Sequence, residues 1–209
     1  MHGGFDPRLA SPLVRAWQRL AYRTAHSLAT IGVAPGAVTL AGLICSLAVP
    51  LVVLPRGLWL LAGAVLVVLS AIADSADGGV AIIAGRTSRL GSFFDPMADR
   101  VGEAAWLVAL YLLGAPGPLV VACGAMAWLH EYARARAALS GMPGLGAVTA
   151  AERPFRVIVV AASLALGGAL WDVSTRLAPG IITVALAVWL VLGLLGGSRL
   201  LGAIRRALA

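Results

Sequence analysis

Long apolar blocks dominate the chain, and the breaks between them predict its elements. The first stretch differs from the rest. Over residues 1–27, at about 100° per residue, Arg8, Arg15, Arg19 and Arg23 fall on one side of a helix and Leu9, Leu13, Trp17 and Leu20 on the other. That pattern predicts an amphipathic helix lying in the membrane interface, arginines toward headgroups and the Leu/Trp face toward acyl chains. A helix docked on the rest of the protein with a solvated polar face is the competing reading. Uncharged runs then predict a first membrane span at 37–54, ended by the turn signal "LPRG", and a second beginning at 57. The 17 residues from 57 to 73 rise about 26 Å before Asp74 appears. The helix is expected to continue through "VAIIAG", so that Asp74 and Asp77 lie in the cytoplasmic half of the membrane. Further spans are predicted at 92–113, 119–137, 156–171 and 180–196, the third ended by "GAPGP".

The expected fold is therefore an all-α integral membrane protein: an interfacial helix over residues 1–30, then a six-helix transmembrane domain over 31–209. Composition agrees. The chain is 60% hydrophobic and 12% charged, against about 25% charged in an average soluble domain. With six spans both termini lie on one side, and the basic residues choose which. All 16 are arginine. A cytoplasmic N-terminus puts 14 of them inside and leaves Arg56 and Arg176 outside, as the positive-inside rule requires. The net charge of +7 thus points to membrane topology and anionic headgroups, not to nucleic acid. Cys45 and Cys123 lie far apart in apolar runs, which suits inert thiols and excludes a paired zinc or disulfide motif. His26 and His130 read as polar helix-end residues without ligand spacing. The six tryptophans are expected mostly near span ends. "GGALW" and "GLLGG" offer small-residue faces for helix association.

One window breaks the apolar pattern. "DSADGGVAIIAGRTSRLGSFFDPMAD" carries four of the nine acidic residues. Asp74 and Asp77 are spaced i, i+3 and Asp95 and Asp99 i, i+4, so each pair shares a helical face. A short connection over 85–88 predicts that the two helices are antiparallel neighbours whose acids converge. Bare, four carboxylates would repel one another and take up protons. Two divalent cations balance four negative charges, and oxygen ligands suit Mg2+ or Mn2+. Gly78, Gly79 and Gly91 leave room for a ligand or a neighbouring backbone. A two-metal carboxylate site is a common arrangement for displacement at phosphorus. A single such aspartate would more simply cap a helix or reach for the surface; four at these spacings mark a functional site.

The same residues resemble the signature of the CDP-alcohol phosphotransferase family. Asp74, Asp77, Gly78, Ala81, Gly91, Asp95 and Asp99 match it without insertion, while Ile82 stands where the family carries arginine. "APGAVT" is similar to the family's Pro-Asn-x-x-Thr lead into its first span, with Gly36 in place of Asn. The resemblance covers roughly 35–156, and the family's architecture also has six spans. It implies transfer of a phosphatidyl group from a CDP-linked lipid, commonly CDP-diacylglycerol, to an alcohol, with release of CMP for phospholipid biosynthesis. Carried over by position, Asp74, Asp77 and Asp95 are metal ligands, and Asp99 is both the general base and a ligand of the second metal. On the residues alone, Asp95 and Asp99 are interchangeable in these roles. Asp74, Asp77, Gly78, Ala81 and Gly91 would face the nucleotide, with Arg86 or Arg89 standing in for the missing arginine.

Arg134, Arg136, Arg153 and Arg199 are the candidates to hold an acceptor phosphate by bidentate contacts, and Arg156 is predicted on the same side. "EYARAR" and "AAERPFR" resemble regions of the actinobacterial phosphatidylinositol-phosphate synthase branch, which makes inositol phosphate one candidate acceptor. "FDPMAD" is closer to the phosphatidylglycerophosphate branch, whose Gly-Lys-x-Lys-Thr segment has no counterpart here. Glu131 and Glu152 are expected to pair with nearby arginines, and Glu103 to support Asp99 from one turn away. The resemblance also implies a homodimer, and the arginine count places the site on the cytoplasmic side of the cell membrane. Two other classes compete with the enzyme. A metal or cation transporter would also place carboxylates in the membrane, usually along several helices. A non-catalytic nucleotide- or lipid-binding relative would explain Ile82.

Overall fold

A computed structural model describes residues 12–142 and 153–208 of the chain. Seven helices account for the regular structure of those residues: α1 Pro12–Thr30, α2 Pro35–Val52, α3 Trp59–Ile83, α4 Arg89–Leu112, α5 Gly117–Leu139, α6 Arg153–Ala169 and α7 Leu177–Leu208. Each apolar block becomes one helix, with ends a few residues from those expected. The largest departure is α7, which runs through the predicted stop at 196. Its 32 residues rise about 48 Å, well past a hydrocarbon core of about 30 Å.

The turns follow from local chemistry. Pro35 stands in the first turn of α2, where its fixed φ fits and its missing N–H costs nothing. The "LPRG" turn holds Arg56 and Gly57 at positive φ, 64° and 60°. After α3, the Arg86 N–H donates back to the Ala81 carbonyl at 2.8 Å while Gly85 takes φ 63°, a left-handed helix stop that glycine permits. Ser88 then caps α4, its Oγ accepting the Gly91 N–H at 3.0 Å.

Packing turns the usual soluble pattern inside out. Trp106, Leu60, Leu110, Leu164, Ile182 and Leu186 are fully buried between helices. Yet Leu40, Ile44, Leu51, Val65, Leu69, Val108, Val121, Val184, Val191 and Leu194 face outward, spread around the bundle. A water-soluble monomer does not expose apolar surface on that scale, and lipid is the solvent that accepts it. α2, α3 and α7 are long and apolar enough to cross a membrane; α4 and α5 are interrupted by charged residues, and α6 has only 17 residues. The protein is a membrane protein.

Several sequence expectations change here. α1 packs along α3, with Ala25 buried against Gly79 and the Trp17 indole N–H donating to Ser75 Oγ at 3.1 Å. Trp17 is thereby taken up by α3 while Leu20 of the same predicted face is exposed; Arg8 and Leu9 lie outside the described residues. Trp106 and Trp189 are buried within α4 and α7 instead of sitting at span ends. His130, expected at a helix end, is buried on α5. Cys123 is buried as expected, its thiol 3.3 Å from the Leu186 carbonyl, whereas Cys45 is half-buried. The glycines of "GGALW" and "GLLGG" are consumed inside the bundle: Gly167 and Gly168 meet Leu60 and Leu61, and Gly193 and Gly197 meet Met126. They hold helices of one chain together and offer no face to a second.

Close approach at Gly63 is tight, since a Cβ there would lie 2.7 Å from Val53 Cγ1, while one at Gly180 would meet nothing within 4 Å. Gly63→Ala is expected to destabilise by about 1–3 kcal/mol through overpacking. Gly180→Ala is expected to be neutral or to stabilise by about 0.5–1 kcal/mol. Thermal unfolding of the two variants in one detergent checks the contrast.

Candidate active site

The four aspartates meet at one hollow. Asp74 and Asp77 come from the second half of α3 and Asp95 and Asp99 from the first half of α4, and all four line a single cavity with Thr39, Gly42 and Ser46 of α2 and Arg153 of α6. Carboxylate oxygens of Asp74, Asp95 and Asp99 lie within 4.8 Å of one another. Asp77 stands beside them, accepting the Thr39 hydroxyl and the Gly78 N–H, each at 2.6 Å.

The helices that carry the acids are arranged differently from the expectation. α3 and α4 make little contact with each other, and both pack on α2. Small residues permit this. A Cβ at Gly42 would come within 3.0 Å of Ala73 Cβ, and one at Gly102 within 2.9 Å of Ser46 Oγ. α2 therefore fills the space between the acidic helices and supplies the floor of the hollow. Ser46 and Ser70 close that floor with a buried hydroxyl pair 2.7 Å apart.

Arg153 completes the cluster. Its guanidinium pairs with both Asp74 and Asp99, and lies 6.0 Å from the centre of the buried Trp106 ring. Four carboxylates against one guanidinium leave a formal charge of −3 if all are ionised. Asp95 Oδ1 is buried and accepts no hydrogen bond. An orphaned carboxylate oxygen inside a cluster of excess negative charge is the chemistry a hard divalent cation satisfies, so the donor set fits Mg2+ or Mn2+.

Behind this layer lies a second group of charges. Arg100 reaches Glu103 at 3.0 Å and Glu131 at 3.3 Å, and Arg156 reaches Glu103 at 2.9 Å. Glu131 does pair with an arginine, and Glu103 is fully buried one turn beyond Asp99; Glu152 lies outside the described residues. The remaining candidates are scattered. Gly78 is exposed with open space over its Cα, Ala81 is half-buried, and Arg86 and Arg89 are exposed at the connection between the acidic helices. Gly91 is occupied in capping α4. Arg134 is half-buried and Arg136 and Arg199 are exposed; among the arginines named for an acceptor, Arg153 alone lines the cavity. Thr39, Ser46, Ser70 and Trp106 were not singled out from the sequence. Thr39 had a signal, the final residue of "APGAVT"; the others look like ordinary apolar-block residues.

The sequence profile of the family described as CDP-alcohol phosphatidyltransferase matches residues 32–195. The chain belongs to this family. The enzyme is 38% identical over 146 residues to the phosphatidylinositol phosphate synthase of Cutibacterium acnes, an alignment covering 66% of this chain and 70% of that one. The archaetidylinositol phosphate synthase of Aeropyrum pernix is 31% identical over 148 residues, 69% of this chain and 74% of the relative. Among solved structures, the Mycobacterium tuberculosis phosphatidylinositol phosphate synthase with CDP-DAG bound superposes with a TM-score of 0.69 at 27% identity, covering 89% of this chain and 94% of that one. The same synthase in complex with manganese and citrate gives 0.70 at 27% identity, covering 88% of each. The enzyme is thus a membrane-bound transferase of phospholipid biosynthesis, and the transporter reading falls. Its carboxylates form one cluster and not a file across the bundle.

Thr39 generates a specific expectation. Valine keeps its shape and removes the hydroxyl that Asp77 accepts. A hydrogen bond to an ionised group contributes about 1.5–3 kcal/mol, so Thr39→Val should slow turnover roughly tenfold to a hundredfold. The initial rate of CMP release, set beside an unchanged melting temperature, checks this.

Proposed function

We propose that the enzyme transfers the phosphatidyl group of CDP-diacylglycerol to a phosphorylated alcohol, with inositol phosphate as the acceptor its relatives point to, and releases CMP. The observation that carries the proposal is the convergence of Asp74, Asp77, Asp95 and Asp99 on one cavity shared with Arg153. In this reading Asp74, Asp77, Asp95 and Asp99 hold two divalent cations, Mg2+ or Mn2+. When bound, such ions supply charge neutralisation at the diphosphate.

The chain's own groups do the rest. Asp99 accepts the proton of the attacking hydroxyl. That oxygen bonds to the phosphatidyl phosphorus as the bond to the CMP oxygen breaks. Arg153 is the acceptor's first contact: an incoming phosphate competes with Asp74 and Asp99 for its guanidinium, so acceptor binding frees the Asp99 carboxylate to act as base. Arg134, Arg136 and Arg199 extend this basic side toward solvent. Gly78, Ala81 and Gly91 border the nucleotide, and the open surface over Gly78 supports a close approach there. Arg86 takes the role vacated at Ile82.

The same proposal sets the membrane frame. α2 to α7 are six crossings forming one catalytic domain over residues 31–209, residues 1–30 form the interfacial segment, and both termini and the site face the cytoplasm. The 14-to-2 division of arginines supports that orientation, and the outward Arg19 and Arg23 of α1 suit a headgroup layer. A homodimer is retained from family resemblance alone.

Release of CMP from CDP-diacylglycerol should require added Mg2+ or Mn2+ and be fastest with inositol phosphate in a panel containing inositol and glycerol phosphate. Asp99→Asn should lower the rate by about a hundredfold or more, the scale of a lost general base. Turnover that survives chelation would end the assignment; preference for glycerol phosphate would move it to another acceptor. Orientation has its own check. In a cysteine-free background, Arg176→Cys should react with an impermeant maleimide added outside intact cells and Arg205→Cys only after lysis.

A further inference from the structure

Glu103 sits where one acid controls two cations. It is 1% exposed, on α4 one turn past Asp99, and each carboxylate oxygen holds a different arginine: Oε1 takes Nη2 of Arg100 at 3.0 Å and Oε2 takes Nη1 of Arg156 at 2.9 Å. The same Nη2 of Arg100 lies 4.0 Å from Asp99 Oδ2. Glu103 and Asp99 thus compete for one guanidinium nitrogen, and Glu103 holds it closer. Glu131 takes the other terminal nitrogen of Arg100 at 3.3 Å, so the guanidinium is pulled away from the cavity on both arms. Arg156 is three residues beyond Arg153 on α6, on the same side of that helix. Its bond to Glu103 fixes the turn of α6 from which Arg153 reaches Asp74 and Asp99.

We propose that Glu103 is a positioning residue that keeps Arg100 off Asp99, so that Arg153 is the one guanidinium paired with the carboxylate cluster and the cluster keeps the net negative charge a divalent cation requires. This rests on reading that cluster as a cation site. Without the Glu103 charge, Nη1 of Arg100 keeps Glu131 at 3.3 Å and Nη2 is left with Asp99 already at 4.0 Å. A guanidinium seated there occupies a carboxylate oxygen and repels an incoming cation. Glu103 therefore touches neither substrate nor metal and acts through Arg100.

The test is direct binding of Mn2+ to the full-length protein in detergent, followed by the electron paramagnetic resonance signal of free ion, with CMP release run in parallel. Glu103→Gln keeps size and loses charge; it should weaken Mn2+ binding roughly tenfold, the scale of one misplaced charge at this range. Removing Arg100 as well, in the Glu103→Gln, Arg100→Met double variant, should restore affinity to within about twofold of the parent, because the competing cation is gone. A merely structural role predicts the reverse, with the double variant worse than either single. Arg100→Met alone leaves Glu103 paired with Arg156 and should bind Mn2+ as tightly as the parent or more so; it carries the test if Glu103→Gln fails to fold. Parent-like affinity in Glu103→Gln, no recovery in the double variant, or weaker binding in Arg100→Met overturns the inference while the cation-site reading stands. A parent protein that binds no Mn2+ overturns both.

Discussion

The site depends on α2 standing between α3 and α4. Two acidic helices packed directly on each other would force four carboxylates together in a medium of low dielectric, where like charges cannot share a surface without protonation or a counter-ion. Gly42 and Gly102 let α2 approach both helices closely enough to hold them apart. The acids then ring a hollow instead of colliding. Thr39, Ser46 and Ser70 give that hollow polar walls, and α6, packed on α3, sends Arg153 into it. Each of these features fails if α2 is displaced.

Charge is organised in two layers with different balances. Arg100, Arg156, Glu103 and Glu131 sum to zero formal charge and pair with one another between α4, α5 and α6. Neutral, mutually bonded groups are the form in which ions are tolerated away from water. The layer toward the cavity is not balanced: four aspartates face one arginine. Excess negative charge at one place, backed by a neutral network and walled by apolar helices, gives the site its appetite for cations. Acidic charge is concentrated where the chemistry is proposed: four of the nine acidic residues line this one cavity.

Much of this was legible in the sequence because helical spacing is local. The uncharged blocks mark the helices, and the i, i+3 and i, i+4 aspartate pairs mark the faces that meet. What was not legible is partner choice. Nothing in "AGLICS" says that this helix wedges between the two acidic ones, so Ser46 reads as an ordinary small residue. The glycines of α7 look like a helix end, yet they admit Met126 and the helix runs on to Leu208. Arg134, Arg136, Arg153 and Arg199 all belong to one predicted basic side, and the packing of α6 on α3 is what carries Arg153 into the cavity. Glu103 could be placed one turn from Asp99, but its bond to Arg156 spans 53 residues and has no local signature.

The departure at Ile82 can be weighed on the same geometry. Taking about 100° per residue along α3, position 82 lies on the flank of Gly78, about 80° from Asp74 and further still from Asp77. Ile82 is 65% exposed and does not line the cavity. An arginine there would add a cation at the rim without touching the carboxylates. Its absence leaves the cluster, its Thr39 support and the Arg153 bridge intact, which argues against an inactive relative. On the proposed assignment, the isoleucine changes how the donor is held at the mouth of the site, and the proton transfer at Asp99 is independent of it.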